Sequence, residues 1–556
     1  MSTLINFFFR IAQVEWAKVF VLILLCSSTL FVNLGGWDLW TPDEPRYAEV
    51  AKEMVRTGNY LVPHLGAEVY PKKPPLLFWI IAVLSKPLGE VTATSARLPS
   101  ALAALGIILL TYLLGQMLYN SSTGIMAGYI LLTANEFFRF AHRVNIDMTL
   151  TLWTTLAFFL FYCGYSKKNH QQRYYLSSYL FMGLGVLTKG PIAFLVPMIS
   201  ISLFLIVRGE YKKFREIAIV RGSFIVLVVV SLWLIPACVL GGGDYTLNIL
   251  IRQNFGIIVH SFSHRAPFYF YLIHFPKDFL PWTFFIPSAV LYFWEIKKRG
   301  ETADIQFPLL WFVGPFIFLS LISSKRNIYL LPLYPAAALI IARFWYGCAN
   351  TMRQKVCKMQ LKKLQMPCIL FFIGIVIFGL YAILAVACKF KFEKFMQAGG
   401  ASVYPVAILL CGAGLIGLTL SRRSKNTMVL FALITAIMLG MFYFCIFKIF
   451  PSRDASKSPR PFIQRIESIV KPEDALCYFL IDQSLFYYFK RDPSPEIKSY
   501  SQLQETLNAH DTIYCVLLKK EYEMAPQEIK SMVTKVEQGK FGKATYYLIK
   551  KIPYDK

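Results

Sequence analysis

The stretch GGWDLWTPDEPRYAEVAKEMVRTGNYLVPHLGAEVYPKKPP, Gly35–Pro75, follows the first long apolar run of the chain and is unlike it. It holds six acidic residues (Asp38, Asp43, Glu44, Glu49, Glu53, Glu68) and five basic ones (Arg46, Lys52, Arg56, Lys72, Lys73). A charged loop this dense, hung between hydrophobic runs, decides the reading on both sides. The runs are membrane spans, and the loop is where chemistry is to be sought.

Composition agrees with that reading. The 556 residues are 56% hydrophobic and 16% charged, where a soluble chain carries roughly 25% charged residues. Apolar runs near the bilayer-crossing length of about 17–25 residues recur from Val19 to Phe450. Thirteen spans are expected, near 17–34, 97–118, 122–138, 148–165, 174–188, 191–207, 222–240, 280–296, 306–322, 327–346, 368–387, 402–420 and 427–449. The run LLFWIIAVL at 76–84 is too short to cross and reads as a juxtamembrane or re-entrant helix. The first run has no small-residue cleavage site before Gly35-Gly36-Trp37 and reads as an uncleaved span.

With the N-terminus inside, thirteen spans place the basic connections Lys167–Arg173, Arg208–Arg221, Lys297–Arg299, Arg353–Lys363 and Arg422–Lys425 in the cytoplasm. Lys389–Lys394 is basic on the other side and departs from the rule. The net charge of +26 is thus carried by connections between spans, and nucleic acid is not a partner. The same parity gathers 35–96, 139–147, 241–279 and 323–326 on the outer face. Residues 1–450 form the transmembrane domain, with 35–96 its first outer loop. Residues 451–556 alternate strand-like and polar stretches, as in a small soluble α/β domain on the outer side. Cys477 and Cys515 fall on strand-like runs there, and a disulfide or two free thiols both fit.

Within the loop, Pro45 suits the first position of a helix that ends at Gly58. The cap then falls to Glu44, and Asp43 stands outside with its carboxylate available; the plainer alternative makes Asp43 the cap. Asp43 and Glu44 are candidate catalytic residues, and the helix's remaining charges read as a solvated face. Prolines stiffen Tyr70–Pro75 and present Lys72 and Lys73 at the membrane edge; interfacial snorkelling explains the lysines equally well. Asp147 either caps the span it opens or is a further catalytic carboxylate near Arg139, His142 and Arg143. Lys189 sits at a helix break between spans, where a charge is costly unless solvated or paired. Further on, Arg265 lies beside an aromatic run and suits bidentate contact with a phosphate. Lys325, Arg326 and Tyr329 add donors at the same level. His260 and His264 have metal-ligand spacing, but no nearby acid or cysteine completes a site. Carboxylates, cations and tyrosines at one membrane face suit an anionic, lipid-linked substrate. Cations hold its phosphate as a leaving group, and a carboxylate orients or deprotonates an acceptor. No phosphate-binding glycine loop or Ser-His-Asp order competes.

The segments WxxDExRYAE, YxxKP, ARLPSA, TKGP, HRAPFYFY, PW and SKxxxYLLPLYPA occur in this order between about residues 35 and 340. Together they resemble the bacterial aminoarabinose transferases and the wider protein-mannosyltransferase-like clan of type C glycosyltransferases. The resemblance implies a mainly α, polytopic helical fold in the bacterial inner membrane with its active site facing the periplasm. It also implies a polyprenyl-phosphate-linked sugar donor, inverting transfer and, in the aminoarabinose branch, a lipid A phosphate as acceptor. Another glycan or a protein hydroxyl is the alternative acceptor, and a non-catalytic lipid-carrier flippase the alternative class. By position, Asp43 resembles the family's catalytic acid and Asp147 its second carboxylate. Arg46, Tyr70, Lys73, Arg265 and Tyr329 resemble residues on the carrier phosphate. His260 resembles a histidine near a zinc, but the family's Glu-Lys-Pro reads Lys72-Lys73-Pro74 here, so the acidic partner is missing. No cofactor is required by this reading.

Overall fold

A computed structural model describes residues 2–167, 169–252, 265–298, 305–353, 358–387, 402–423, 427–491 and 496–552. His260, His264 and the basic stretch Lys389–Lys394 lie outside the described residues.

The apolar runs are helical. The first elements are α1 (Ser2–Leu30), α2 (Asp43–Thr57), α3 (Leu76–Ser85), α4 (Ala93–Leu118), α5 (Ser121–Leu132), α6 (Asn135–Ala141), α7 (Ile146–Ser166), α8 (Gln171–Lys189) and α9 (Ile192–Val207). Among the described residues, seven helices are long and apolar enough to cross a membrane, or eight if the bent pair Phe270–Asp278 and Trp282–Lys298 is one span. The other five expected spans are also helical. Helix α1 is 29 residues long, the apolar helices α5, α9 and Gln306–Leu321 run to 10–17 residues, and α8 opens on the polar sequence QQRYY. Ten-residue α3 is too short to cross, as expected. Helices α4 and α5 meet backbone to backbone: a Cβ on Gly115 would stand 2.7 Å from the Cα of Gly124. Small residues permit this approach where there is no water to drive association.

Helix ends carry the polar chemistry. Asn145 caps α7, accepting from the amides of Asp147 and Met148 at 2.6 and 3.2 Å. Helix α8 packs against α7 and ends at Lys189, with Gly190 turning the chain at φ 103°. An acid in a helix's first turn and a lysine in a helix's last each suit the helix dipole, so this pairing places opposite charges at one end of the bundle.

The first loop carries a short hairpin of β1 (His64–Leu65) and β2 (Glu68–Val69), and in the C-terminal part a four-stranded sheet runs in the order β3 (Ala475–Phe479), β4 (Ile513–Leu518), β6 (Ala544–Lys551), β5 (Val533–Phe541). Strands β3 and β4 are parallel, and the β5–β6 hairpin turns at Gly542, φ 61°. Cys477 stands opposite Cys515 on β3 and β4, and both thiols are free. The composition change at Pro451 falls on the last turn of the helical run Thr427–Ser452.

Helix α2 departs from its expected solvated face. Glu44, Glu49 and Glu53 are buried with Tyr47, Val50, Ala51 and Met54. The 3-10 turn Gln483–Tyr488 of the C-terminal part lies on the face that would otherwise meet water. There the Tyr487 and Tyr488 hydroxyls donate to the carbonyls of Val91 and Leu39 at 2.9 Å. Glu49 is 1% exposed, and its Oε2 has no hydrogen-bond donor among the described residues. Burial pushes its carboxyl up to about 7; Lys52 opposes the rise and Glu53 adds to it.

A raised carboxyl pKa means the folded chain holds a proton that the unfolded chain releases near pH 4.5. Stability should therefore decline as pH rises between about 4.5 and 7. Glu49→Gln should flatten that decline and raise the melting temperature at pH 8, by roughly 2–4 °C per kcal/mol recovered. Thermal melts in detergent at pH 5 and pH 8 measure both.

Candidate active site

The site rests on a buried ion pair. Arg97, in the second turn of α4, is 0% exposed, and its Nε donates to Glu44 Oε1 at 3.1 Å. Its two terminal nitrogens donate to the carbonyls of Leu34 and Trp37 at 2.7 and 2.9 Å and of Asp38 at 2.7 Å. The guanidinium also stacks 4.5 Å from the Trp37 ring. Glu44 accepts from the amides of Trp40 and Val144, each at 3.0 Å. A carboxylate so enclosed is unavailable to a substrate. Glu44 is a strut rather than a catalytic group, and the acidic pair read from the sequence divides.

Asp43 is the first residue of α2, not a residue outside it; the helix starts two residues earlier than Pro45 suggested. Pro45 still falls in the first turn, where its missing N–H costs nothing. Pro42 precedes the helix and no side chain caps it, so Asp43 remains turned outward. Its Oδ2 accepts from Arg326 at 3.0 Å and its Oδ1 from Arg46 at 3.5 Å. Tyr70 is buried against Phe78 with its hydroxyl beside Arg46, and burial pushes that phenol up to about 12.

The second carboxylate is Asp147. The capping reading fails for it because Asn145 already caps α7. Asp147 instead forms an ion pair with Lys189, whose ammonium lies 4.0 Å from the Tyr329 ring. Lys73 lies among Lys189, Asp147, Asp43 and Arg326. Burial pushes its ammonium down to about 8; Lys189 adds to this, and Asp147 and Asp43 oppose it.

Two cavities flank these groups. One, of about 380 Å³, is lined by apolar residues of several helices, among them Leu187, Val196, Trp233, Leu234, Ile249 and Phe318. Lys72, Lys73, Lys189 and Tyr329 also line it. The other, of about 440 Å³, is polar and is lined by Arg139, Arg265, Lys325 and Arg326. Arg326 thus belongs to the polar basin while it holds Asp43. Arg265 lines the basin rather than the apolar cavity, on a backbone bridged to Ser324. Lys325 is 5% exposed, and its ammonium donates to the carbonyls of Ala266 and Ile322. It braces the turn, and its side chain also lines the basin.

Among the described residues, no three His, Cys, Asp or Glu side chains stand where a metal ion would be held. Lys72 occupies the position where the resembled family carries an acid, near Arg46. A cation there does not suit a metal. Sequence reasoning passed over Arg97, although an arginine inside an apolar helix signals a buried partner. It also passed over Asp482, which approaches Arg46 at 3.1 Å from the far end of the chain and carries no local signal.

The arrangement of apolar helices around a long first loop is that of the type C glycosyltransferase fold, and comparison with known proteins supports this fold. The structure is similar to that of ArnT from Cupriavidus metallidurans in the apo state, with TM-score 0.73 over 97% of this chain and 98% of that one, at 18% identity. For the same protein bound to undecaprenyl phosphate the TM-score is 0.72, over 95% and 97% of the two chains. Residues 72–235 match the family model described as dolichyl-phosphate-mannose-protein mannosyltransferase. An uncharacterized protein of Aquifex aeolicus is 30% identical over 329 residues, 59% of this chain and 64% of that one. The undecaprenyl phosphate-alpha-4-amino-4-deoxy-L-arabinose arabinosyl transferase of Yersinia enterocolitica is 29% identical over 327 residues, 58% of each. The chain spans about three fifths of the length of these relatives. The motif resemblance and the comparisons thus point to the same proteins.

Two predictions follow from this geometry. Arg97→Leu strands a buried carboxylate and should cost about 3–5 kcal/mol, read as a lower melting temperature and loss of monodisperse protein in detergent. Lys73 should make phosphate binding pH-dependent. Its ammonium is charged below about pH 7 and is lost as pH rises through about 8, so affinity for a polyprenyl phosphate should fall about tenfold by pH 9. Trp233 in the cavity wall gives a fluorescence readout, and Lys73→Arg should hold its affinity across that range.

Proposed function

We propose that this protein is an inverting glycosyltransferase. It moves an aminosugar, aminoarabinose, from undecaprenyl phosphate to a phosphate of lipid A at the periplasmic face of the bacterial inner membrane. One observation carries the reading: an apolar cavity is lined at its polar part by Lys73, Lys189 and Tyr329, a separate cationic basin is lined by Arg326, and Arg326 pairs with Asp43, which acts on Lys73. The apolar cavity suits a polyprenyl chain, and the ammonium groups at its polar end suit the carrier phosphate. The basin suits a second anion.

The chemistry follows from those charges. An oxygen of the acceptor phosphate attacks the anomeric carbon, and the bond from that carbon to the carrier's phosphate oxygen breaks. The electron pair leaves on the polyprenyl phosphate, whose growing charge is met by Lys73 and Lys189. The acceptor is already anionic, so no base is required. Asp43, its two oxygens held by guanidinium groups, suits electrostatic work: balancing positive charge at the anomeric carbon or orienting the sugar's ammonium. A hydroxyl acceptor would instead ask Asp43 to take a proton, with Arg326 on the same carboxylate opposing that role.

Mass spectrometry of lipid A from cells that make the donor, with and without this protein, tests the reading. A phosphate-linked pentosamine should appear only with the protein. Unchanged lipid A overturns the acceptor assignment. Asp43→Asn should lower transfer by about 10²–10³ while leaving undecaprenyl phosphate binding within a few-fold; undiminished transfer sinks the role of Asp43.

A further inference from the structure

The C-terminal part does more than cover the first loop. Asp482 follows strand β3 and faces Arg46, and the ion pair at 3.1 Å is shorter than the 3.5 Å that separates Arg46 from Asp43. Four side chains thus alternate in sign along one line: Asp482, Arg46, Asp43, Arg326. Asp482 is itself fixed, because its Oδ1 accepts from the Ser484 amide at 3.0 Å and caps the turn Gln483–Tyr488. That turn is held to the loop by separate contacts. Gln483 donates to Glu68 at 3.3 Å, Lys498 pairs with Glu68 at 2.6 Å, and Lys52 reaches the carbonyl of Tyr487 at 3.4 Å. Docking therefore does not depend on Asp482, and its charge is spent on Arg46.

Without a second acid, Arg46 has only Asp43 and the Tyr70 hydroxyl to meet it on this side. A guanidinium drawn fully onto Asp43 would close the carboxylate against substrate. Shared with Asp482, Arg46 is held back from Asp43, and Arg326 keeps the closer contact. We infer that Asp482, in the C-terminal part, is a positioning residue for sugar transfer: it holds Arg46 so that Asp43 stays oriented and open toward the reacting sugar. This rests on the transfer reaction proposed above.

Asp482→Asn is the informative variant, because asparagine caps as well as aspartate and only the charge is removed. Its kcat should fall about tenfold to a hundredfold, with KM for the polyprenyl-phosphate donor within twofold. Asp482→Glu should restore part of the rate. Lys498→Ala, which breaks a different bridge across the same interface, should leave kcat unchanged. Equal losses in Asp482→Asn and Lys498→Ala, or an unchanged kcat in Asp482→Asn, overturn the proposal. A thermal-stability double-mutant cycle on Asp482→Asn and Arg46→Gln does not depend on activity. Coupling between them should be measurable even if wild-type protein proves inactive on this donor, and its absence overturns the proposal. A wild-type chain without transfer activity overturns the functional reading instead.

Discussion

The first loop and the helix ends around it depend on the buried pair of Arg97 and Glu44. A guanidinium at the core of an apolar bundle is tolerated only with every donor engaged and its charge matched. Arg97 meets both demands with three carbonyls from 34–38 and the Glu44 carboxylate. The same carboxylate accepts from the Val144 amide, three residues before Asp147. One ion pair thus ties the start of the loop, the head of α2, α4 and the approach to α7. The two acids outside that knot, Asp43 and Asp147, have their positions set by it.

Adjacent acids take opposite roles because a helix turns by about 100° per residue. At the head of α2, Glu44 points in and Asp43 points out. The inward acid holds structure, and the outward one meets Arg326 and Arg46. Asp147 is released for a different reason: Asn145 does the capping work of its helix.

Cations divide the site as the acids do. Lys73 and Lys189 stand at the end of an apolar cavity, whereas Arg139, Arg265 and Arg326 line a polar basin. The two sets of cations are therefore kept apart, and Arg326 of the basin is the one that pairs with Asp43. Packed on both faces, helix α2 keeps Glu49 and Glu53 out of water, with the C-terminal part as one of the walls around it.

By itself the sequence determined the class of fold and pointed to most of the charged residues that the structure gathers beside the two cavities. Long apolar runs allow only membrane helices, and prolines, glycines and isolated charges mark where those helices end. Asp43, Lys73, Asp147, Lys189, Arg265 and Tyr329 were legible because charges at the ends of apolar runs are conspicuous. What only the tertiary structure decided was the partnership of each charge. Glu44 is a strut because Arg97 lies beneath it, and Lys325 is a brace because two carbonyls lie within its reach. The face of α2 read as solvated is buried because residues more than 400 positions away cover it. A repeat of 3.6 residues reports which side of a helix is apolar. It carries no information about what another part of the chain brings to the opposite side, and here that part brings Asp482.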